Sequence, residues 1–184
     1  MGEKVNSHSY TNAHVAWLVC LYIATWRVRR EGLMSIEGDV ENAEQPTSLF
    51  GRFPQVQQGP YLEFATDVLR MMLNGTDSPE DMSVYAESYI SGATAGNGST
   101  SGAPDATIFR TIWLTLWASM KGYAPQAAVE FGRQAIPAGL KPSFLELEEL
   151  VRKANREIRD NGAQQEGGLD AAVDDFMASL SKAR

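Results

Sequence analysis

"PSFLELEELVRKANREI", residues 142–158, reads as an amphipathic helix from its first turn. Ser143 and Glu146 stand at the S-x-x-E spacing of a capping box, in which each side chain satisfies the other's free backbone N–H. Phe144, Leu147, Val151, Ala154 and Ile158 recur at three and four, which predicts one apolar face. Upstream, "YLEFATDVLRMMLNG" (61–75) repeats the pattern with Tyr61, Phe64, Ala65, Val68, Leu69 and Met72. Asn74-Gly75 stops that helix, because Gly takes the left-handed cap conformation at little cost. Ser78-Pro79-Glu80-Asp81 starts the next, with a capping hydroxyl, a proline in the first turn and carboxylates behind it. Near the end, "LDAAVDDFMASLSKAR" (169–184) predicts a last helix with Leu169, Ala172, Val173, Phe176 and Leu180 on one side. Its acids come early and Lys182 and Arg184 late, as the helix dipole favours. A polar hinge, "DNGAQQEGG" (160–168), precedes it. No alternating strand pattern with hairpin turns occurs. The expected fold class is all-α, a small helical bundle.

The chain has 184 residues, 43% hydrophobic and 21% charged, ordinary proportions for a globular protein. Its net charge of −7 is concentrated in residues 35–105, where eleven acidic side chains face only Arg52 and Arg70. Without a basic face, nucleic acid is not an expected partner, since phosphate binding needs clustered Lys and Arg. The single Cys20 excludes an internal disulfide. Two runs, Ala13–Trp26 ("AHVAWLVCLYIATW") and Ile108–Met120, are strongly apolar but short of the ~20 residues needed to cross hydrocarbon. They read either as core helices of a bundle or as the ends of longer membrane helices. The first also begins too late, behind too polar a leader, to be a secretory signal.

Catalytic motifs are lacking. His8 and His14 are six apart, off the spacing of a helical metal site, and no Cys or carboxylate completes a set. The Gly/Ser/Thr run "NGSTSG" (97–102) has neither the Lys of a phosphate loop nor the order of a nucleophile elbow. Neither an enzyme, a cofactor nor a metal is expected. "SGATAGNGSTSGAPDAT" (91–107) has nothing bulky to bury and reads as a flexible linker, native or the scar of an excision.

One charge pattern stands out. In "WRVRREGLMSIEGDVEN" (26–42), Arg27, Arg29 and Arg30 are followed by Glu31, Glu37, Asp39 and Glu41. If one helix runs through the stretch, Arg30 and Glu37 share a face roughly 10 Å apart along the axis. That surface is either solvated or a bipolar docking face. Gly38 is the expected site of any bend.

These residues carry a family resemblance. "RREGLMSIEGDVEN", "SLFGRFPQV" and "LEFATDVLRMMLNG" resemble the cytoplasmic loop of MotA, the ion-channel subunit of the bacterial flagellar stator. "KGYAPQAAVEFGRQAI" and "KPSFLELEELVR" resemble the segment after the family's last membrane helix. Together the matches cover about residues 27–92 and 110–155. The resemblance implies four segments. Residues 1–92 hold the lower end of the second membrane helix and the loop helices. Residues 93–106 are a linker in place of a transmembrane hairpin. Residues 107–160 hold the lower end of the fourth membrane helix and a cytoplasmic helix, and 161–184 the hinge and last helix. An engineered soluble chimera is thereby implied, whose parent is a bacterial inner-membrane protein with this region in the cytoplasm. Implied partners are the rotor switch protein FliG, a MotB-like stator subunit and further copies of the parent chain. By alignment of "RREGLMSIEGD", the charged rotor contacts fall on Arg29 and Glu37, with Arg30 beside them. Two other readings are an energy-transducing channel relative of the ExbB/TolQ type, expected to lack the "GYAP" block, and a helical scaffold with no motor role.

Overall fold

The computed structural model describes residues 12–95 and 104–162, the last six as backbone only. His8, the stretch 96–103, Ile158 as a side chain and the helix expected over Leu169–Leu180 lie outside the described residues. All regular structure among the described residues is helical: α1 (Ala13–Glu31), α2 (Glu37–Glu41), α3 (Tyr61–Leu73), α4 (Pro79–Thr94), α5 (Ala106–Met120), α6 (Pro125–Gln134) and α7 (Phe144–Gly162), with short 3₁₀ turns at Leu33–Ile36 and Phe50–Arg52. Of the stretch 93–106 expected to be a linker, residues 93–94 belong to α4 and Ala106 begins α5. Likewise α7 runs to Gly162, into the expected hinge.

The local start and stop signals work as read. Ser78 Oγ accepts the Asp81 N–H at 3.2 Å. Gly75 and Thr76 N–H groups donate back to Met72 and Met71 carbonyls and close α3. At the head of α7, the Ser143 N–H donates to Glu146 Oε2 at 2.7 Å while the Glu146 N–H donates to Ser143 Oγ at 3.2 Å. These bonds hold the Glu146 carboxyl below its ordinary value, the backbone bond first.

Packing is organised by α1. Every residue from His14 to Thr25 is buried. A helix apolar on all sides has no face to give to water and must be enclosed. Its neighbour α5 lies parallel to it: near both starts, His14 Nε2 is 2.8 Å from Thr107 Oγ1, and at the far ends Arg29 Nη1, in the last turn of α1, donates to the carbonyl of Gly122 just after α5 at 3.2 Å. Burial lowers the His14 pKa, outweighing the nearby Asp105 carboxylate. The threonines of α5 that enter the core, Thr111 and Thr115, donate to carbonyls one turn back within their own helix, both at 2.9 Å.

Other helices run with or against this pair. Tyr61 Oη, at the start of α3, accepts the Asp105 N–H at 2.7 Å. Antiparallel α4 begins with Glu80 paired to Lys121 at the end of α5 and later sets Tyr89 against Phe109, ring centroids 5.7 Å apart. Phe109 also meets Tyr61 at 4.7 Å and Phe64 at 5.3 Å, an aromatic cluster joining α3, α4 and α5. Helix α6 returns antiparallel to α5, and α7 runs parallel to α1, since Asn12 Nδ2 donates to the Leu140 carbonyl at 3.0 Å just ahead of α7. The bundle therefore has two ends. Asn12, Pro104 and the loop at Leu140 gather at one; Arg29, Gly122 and the start of α6 gather at the other.

Phe144 departs from its expected face. Leu147, Val151 and Ala154 are buried as read, whereas Phe144 is 54% exposed. Periodicity places Phe144 on the apolar face, but among the described residues the first turn of α7 leaves that side chain largely uncovered.

A close helix contact lies at Gly132 in α6. A Cβ there would sit 2.1 Å from Thr115 Oγ1, 2.7 Å from the Thr111 carbonyl and 2.9 Å from Leu18 Cδ2. Backbone and two neighbours cannot all yield. Gly132→Ala is expected to cost about 1–3 kcal/mol in urea unfolding; an unchanged midpoint would refute this packing. The depressed Glu146 pKa makes a separate expectation. Its contribution to stability is present above the ordinary value of 4.5 and is lost as pH falls through the lower folded value. Glu146→Gln should therefore show a shallower loss of stability on acidification below that point, measured by melting temperature against pH.

Candidate functional site

Helix α1 does not continue into the acidic residues, contrary to the single helix expected over 27–41. It ends at Gly32, whose φ of 90° is favourable only to glycine and whose N–H donates to the Val28 carbonyl at 2.9 Å. A 3₁₀ turn follows, tied by Ser35 Oγ donating to the Gly32 carbonyl at 2.6 Å, and α2 then begins at Glu37. Ile36 and Val40, both fully buried, draw this turn back onto the core. Gly38, the expected bend, lies inside α2 with open space where a Cβ would be.

The three arginines diverge. Arg27 turns inward and pairs with Asp39 Oδ2, each side chain only 13% exposed. The other oxygen of Asp39 accepts the Leu49 N–H at 2.7 Å, so one carboxylate joins α1, α2 and the loop that follows. A half-buried pair of this kind matters mainly for where it holds things, because desolvation offsets much of the attraction. Arg29 and Arg30 stay exposed. Arg29 reaches the Gly122 carbonyl, and the Arg30 guanidinium lies 5.2 Å from the Trp26 ring centroid, a cation–π contact. Glu37 is exposed and makes no hydrogen bond or ion pair among the described residues.

A surface cleft of about 510 Å³ opens beside the two exposed arginines, bounded by Trp26, Arg29, Arg30, Pro125, Gln126 and Asn155. It lies between the end of α1, the start of α6 and α7. The surface is thus bipolar: guanidinium groups border this cleft, Glu31 closes α1 beside them, and the carboxylates of Glu37 and Glu41 stand exposed across the Gly32 turn. Such an arrangement suits reversible docking of a charged partner. Among the described residues, no three His, Cys, Asp or Glu side chains group as a metal site would require. The half-buried Arg27–Asp39 pair has no readable signal in the sequence, since twelve residues separate the partners across the turn at Gly32.

No protein-family model matches the chain, and no solved structure matches it. Among curated proteins it is similar to Motility protein A of Salmonella typhimurium, 24% identical over 217 aligned residues that take in 80% of this chain and 72% of the relative. It is similar also to Motility protein A of Escherichia coli K12, 24% identical over 213 residues, 78% of this chain and 72% of the relative. Both aligned lengths exceed the 184 residues of this chain, so each relative carries residues within the alignment that have no counterpart here. The similarity supports a flagellar stator protein in general terms. No helix among the described residues is long and apolar enough to cross a membrane.

Replacing Asp39 tests the corner itself. Asp39→Asn strips Arg27 of that carboxylate and should destabilise the fold by about 1–3 kcal/mol in urea unfolding. A neutral result would mean that Ile36 and Val40, and not this pair, hold the turn.

Proposed function

We propose that the chain is the cytoplasmic, torque-transmitting part of a flagellar stator subunit. Arg29, Arg30 and Glu37 meet the rotor switch protein FliG, while the parent subunit assembles with further copies of itself around a MotB-like partner. The observation that carries this reading is the similarity to Motility protein A along four-fifths of the chain. Exposure of Arg29, Arg30 and Glu37 at one end of the bundle supports their role. The residues that the relatives have and this chain lacks support an excised transmembrane hairpin, bridged at the Gly/Ser-rich stretch between α4 and α5. That bridge is topologically cheap. Helix α4 ends, and α5 begins, at the Asn12 end of the bundle, so both cut ends emerge on the side away from the charges.

Exposed charge pairs are individually weak, ~0–1 kcal/mol each, and form and release quickly. A stepping motor needs contacts of that strength, because each must be broken again. Their reach is set by screening, with a Debye length of ~8 Å at physiological salt.

The test uses a full-length stator carrying this domain. Arg29→Glu and Glu37→Lys should each impair swimming while leaving the melting temperature almost unchanged, since exposed charges contribute little to stability. A rotor protein bearing the opposite reversals should recover torque. Normal swimming by both variants with an unmodified rotor would reduce the charges to a solvated face.

A further inference from the structure

The opposite end of the bundle carries a feature that the charged corner leaves unused. Between α6 and α7 the chain reads "IPAGLKPSFL", residues 136–145, nearly all apolar. Ile136 and Pro142 are buried, but Leu140 and Phe144 are each 54% exposed and Leu145 is 72% exposed, with Pro137 and Ala138 exposed beside them. The loop is not loose. Arg133 Nη1 donates to the Pro142 carbonyl at 3.2 Å, Lys141 Nζ to the Gln134 carbonyl at 3.1 Å, and Asn12 Nδ2 to the Leu140 carbonyl. A protein that buries Trp17, Tyr22 and Phe109 completely here spends hydrogen bonds on holding bulky apolar groups out in water.

We propose that Leu140, Phe144 and Leu145 form a lipid-contacting surface, which seats this end of the bundle in the headgroup region of a bilayer. Location argues for lipid. The Asn12–Leu140 bond puts the patch at the start of α1, and the His14–Thr107 contact puts the start of α5 at the same end. Those helices hold the two long apolar runs of the chain, Ala13–Trp26 and Ile108–Met120, and both enter the bundle there. Size argues against a second copy as the occupant. Three projecting side chains cover a few hundred Å² at most, well short of the roughly 1,200–2,000 Å² that a stable protein interface buries. A patch this small binds a membrane only weakly by itself. It suffices where the chain is already held at the bilayer, because tethering raises the effective concentration of the second contact. The inference rests on the stator reading, which puts a membrane above this end.

Cys20 is fully buried, so one introduced thiol can be labelled selectively. An environment-sensitive fluorophore such as NBD is attached to the 184-residue protein as Leu145→Cys or, as a control at the charged end, as Met34→Cys, a position 61% exposed. Each is titrated with phosphatidylcholine vesicles, chosen as zwitterionic because a net charge of −7 is repelled by anionic lipid. The label at 145 should shift to the blue and brighten about two- to threefold at millimolar lipid, as interfacial insertion of a few apolar groups implies. The label at 34 should not respond. Adding Leu140→Ser and Phe144→Ser should abolish the response. No lipid response at 145, an equal response at both positions, or brightening with protein concentration in the absence of lipid would each overturn the proposal. The last would assign the patch to self-association. Because the measurement involves neither rotor nor charge reversal, a failed swimming test leaves its outcome separately readable.

Discussion

Enclosure of α1 is the constraint on which the rest of the structure depends. Twelve consecutive buried residues leave this helix no solvent face, so the chain must supply cover on every side. Helices α5 and α6 do much of this at close range, which is why α6 carries Gly132 where it crosses α5 and touches Leu18. A parallel α1–α5 pair then forces the intervening chain to travel back and forth an odd number of times. Helix α3 runs with the pair and α4 against it, and the chain arrives at the start of α5 on the same side from which α1 set out. Two dissimilar ends follow from this one requirement. At one the apolar helices enter; at the other Arg29, Arg30, Glu31 and Glu37 are exposed.

The charged corner shows how a single buried contact sorts like residues into different roles. Arg27, Arg29 and Arg30 are within one turn of each other, yet only Arg27 points inward, where it finds Asp39. That pairing, with the burial of Ile36 and Val40, sets where α2 begins and therefore where Glu37 stands relative to Arg29. The corner is firm inside and free outside. A contact surface made of exposed charges on a fixed frame can engage a partner without reorganising, at little entropic cost on binding.

Much of this was legible in the sequence, and the exceptions share a cause. Capping at Ser78 and Ser143 and the stop at Asn74-Gly75 depend on neighbours within four residues, so local chemistry decides them. The all-α class follows from the same periodicities. The break at Gly32 was missed in favour of Gly38, because both are glycines in a polar stretch and only the tertiary pull of Ile36, Val40 and Asp39 separates them. Phe144 obeys its period yet stays exposed, because burial depends on what the assembled bundle brings to that turn and not on spacing. The charged residues of the corner are plain in the composition, but they stand on two arms of a turn and not on one helix face. Which ends of the helices meet is a property of the assembled bundle, and no spacing within a segment encodes it.

The central claim, that an all-round buried α1 carries a free charged corner at its end, is tested most directly by native-state hydrogen exchange resolved to single amides. Amides from Trp17 to Thr25 should exchange only through global unfolding, with the same free energy and denaturant dependence as the whole protein, whereas those from Glu37 to Glu41 should exchange through smaller local openings. Protection in Trp17–Thr25 no greater than in Glu37–Glu41 would contradict the account, for α1 would then be a peripheral helix and the two-ended bundle built around it would fall.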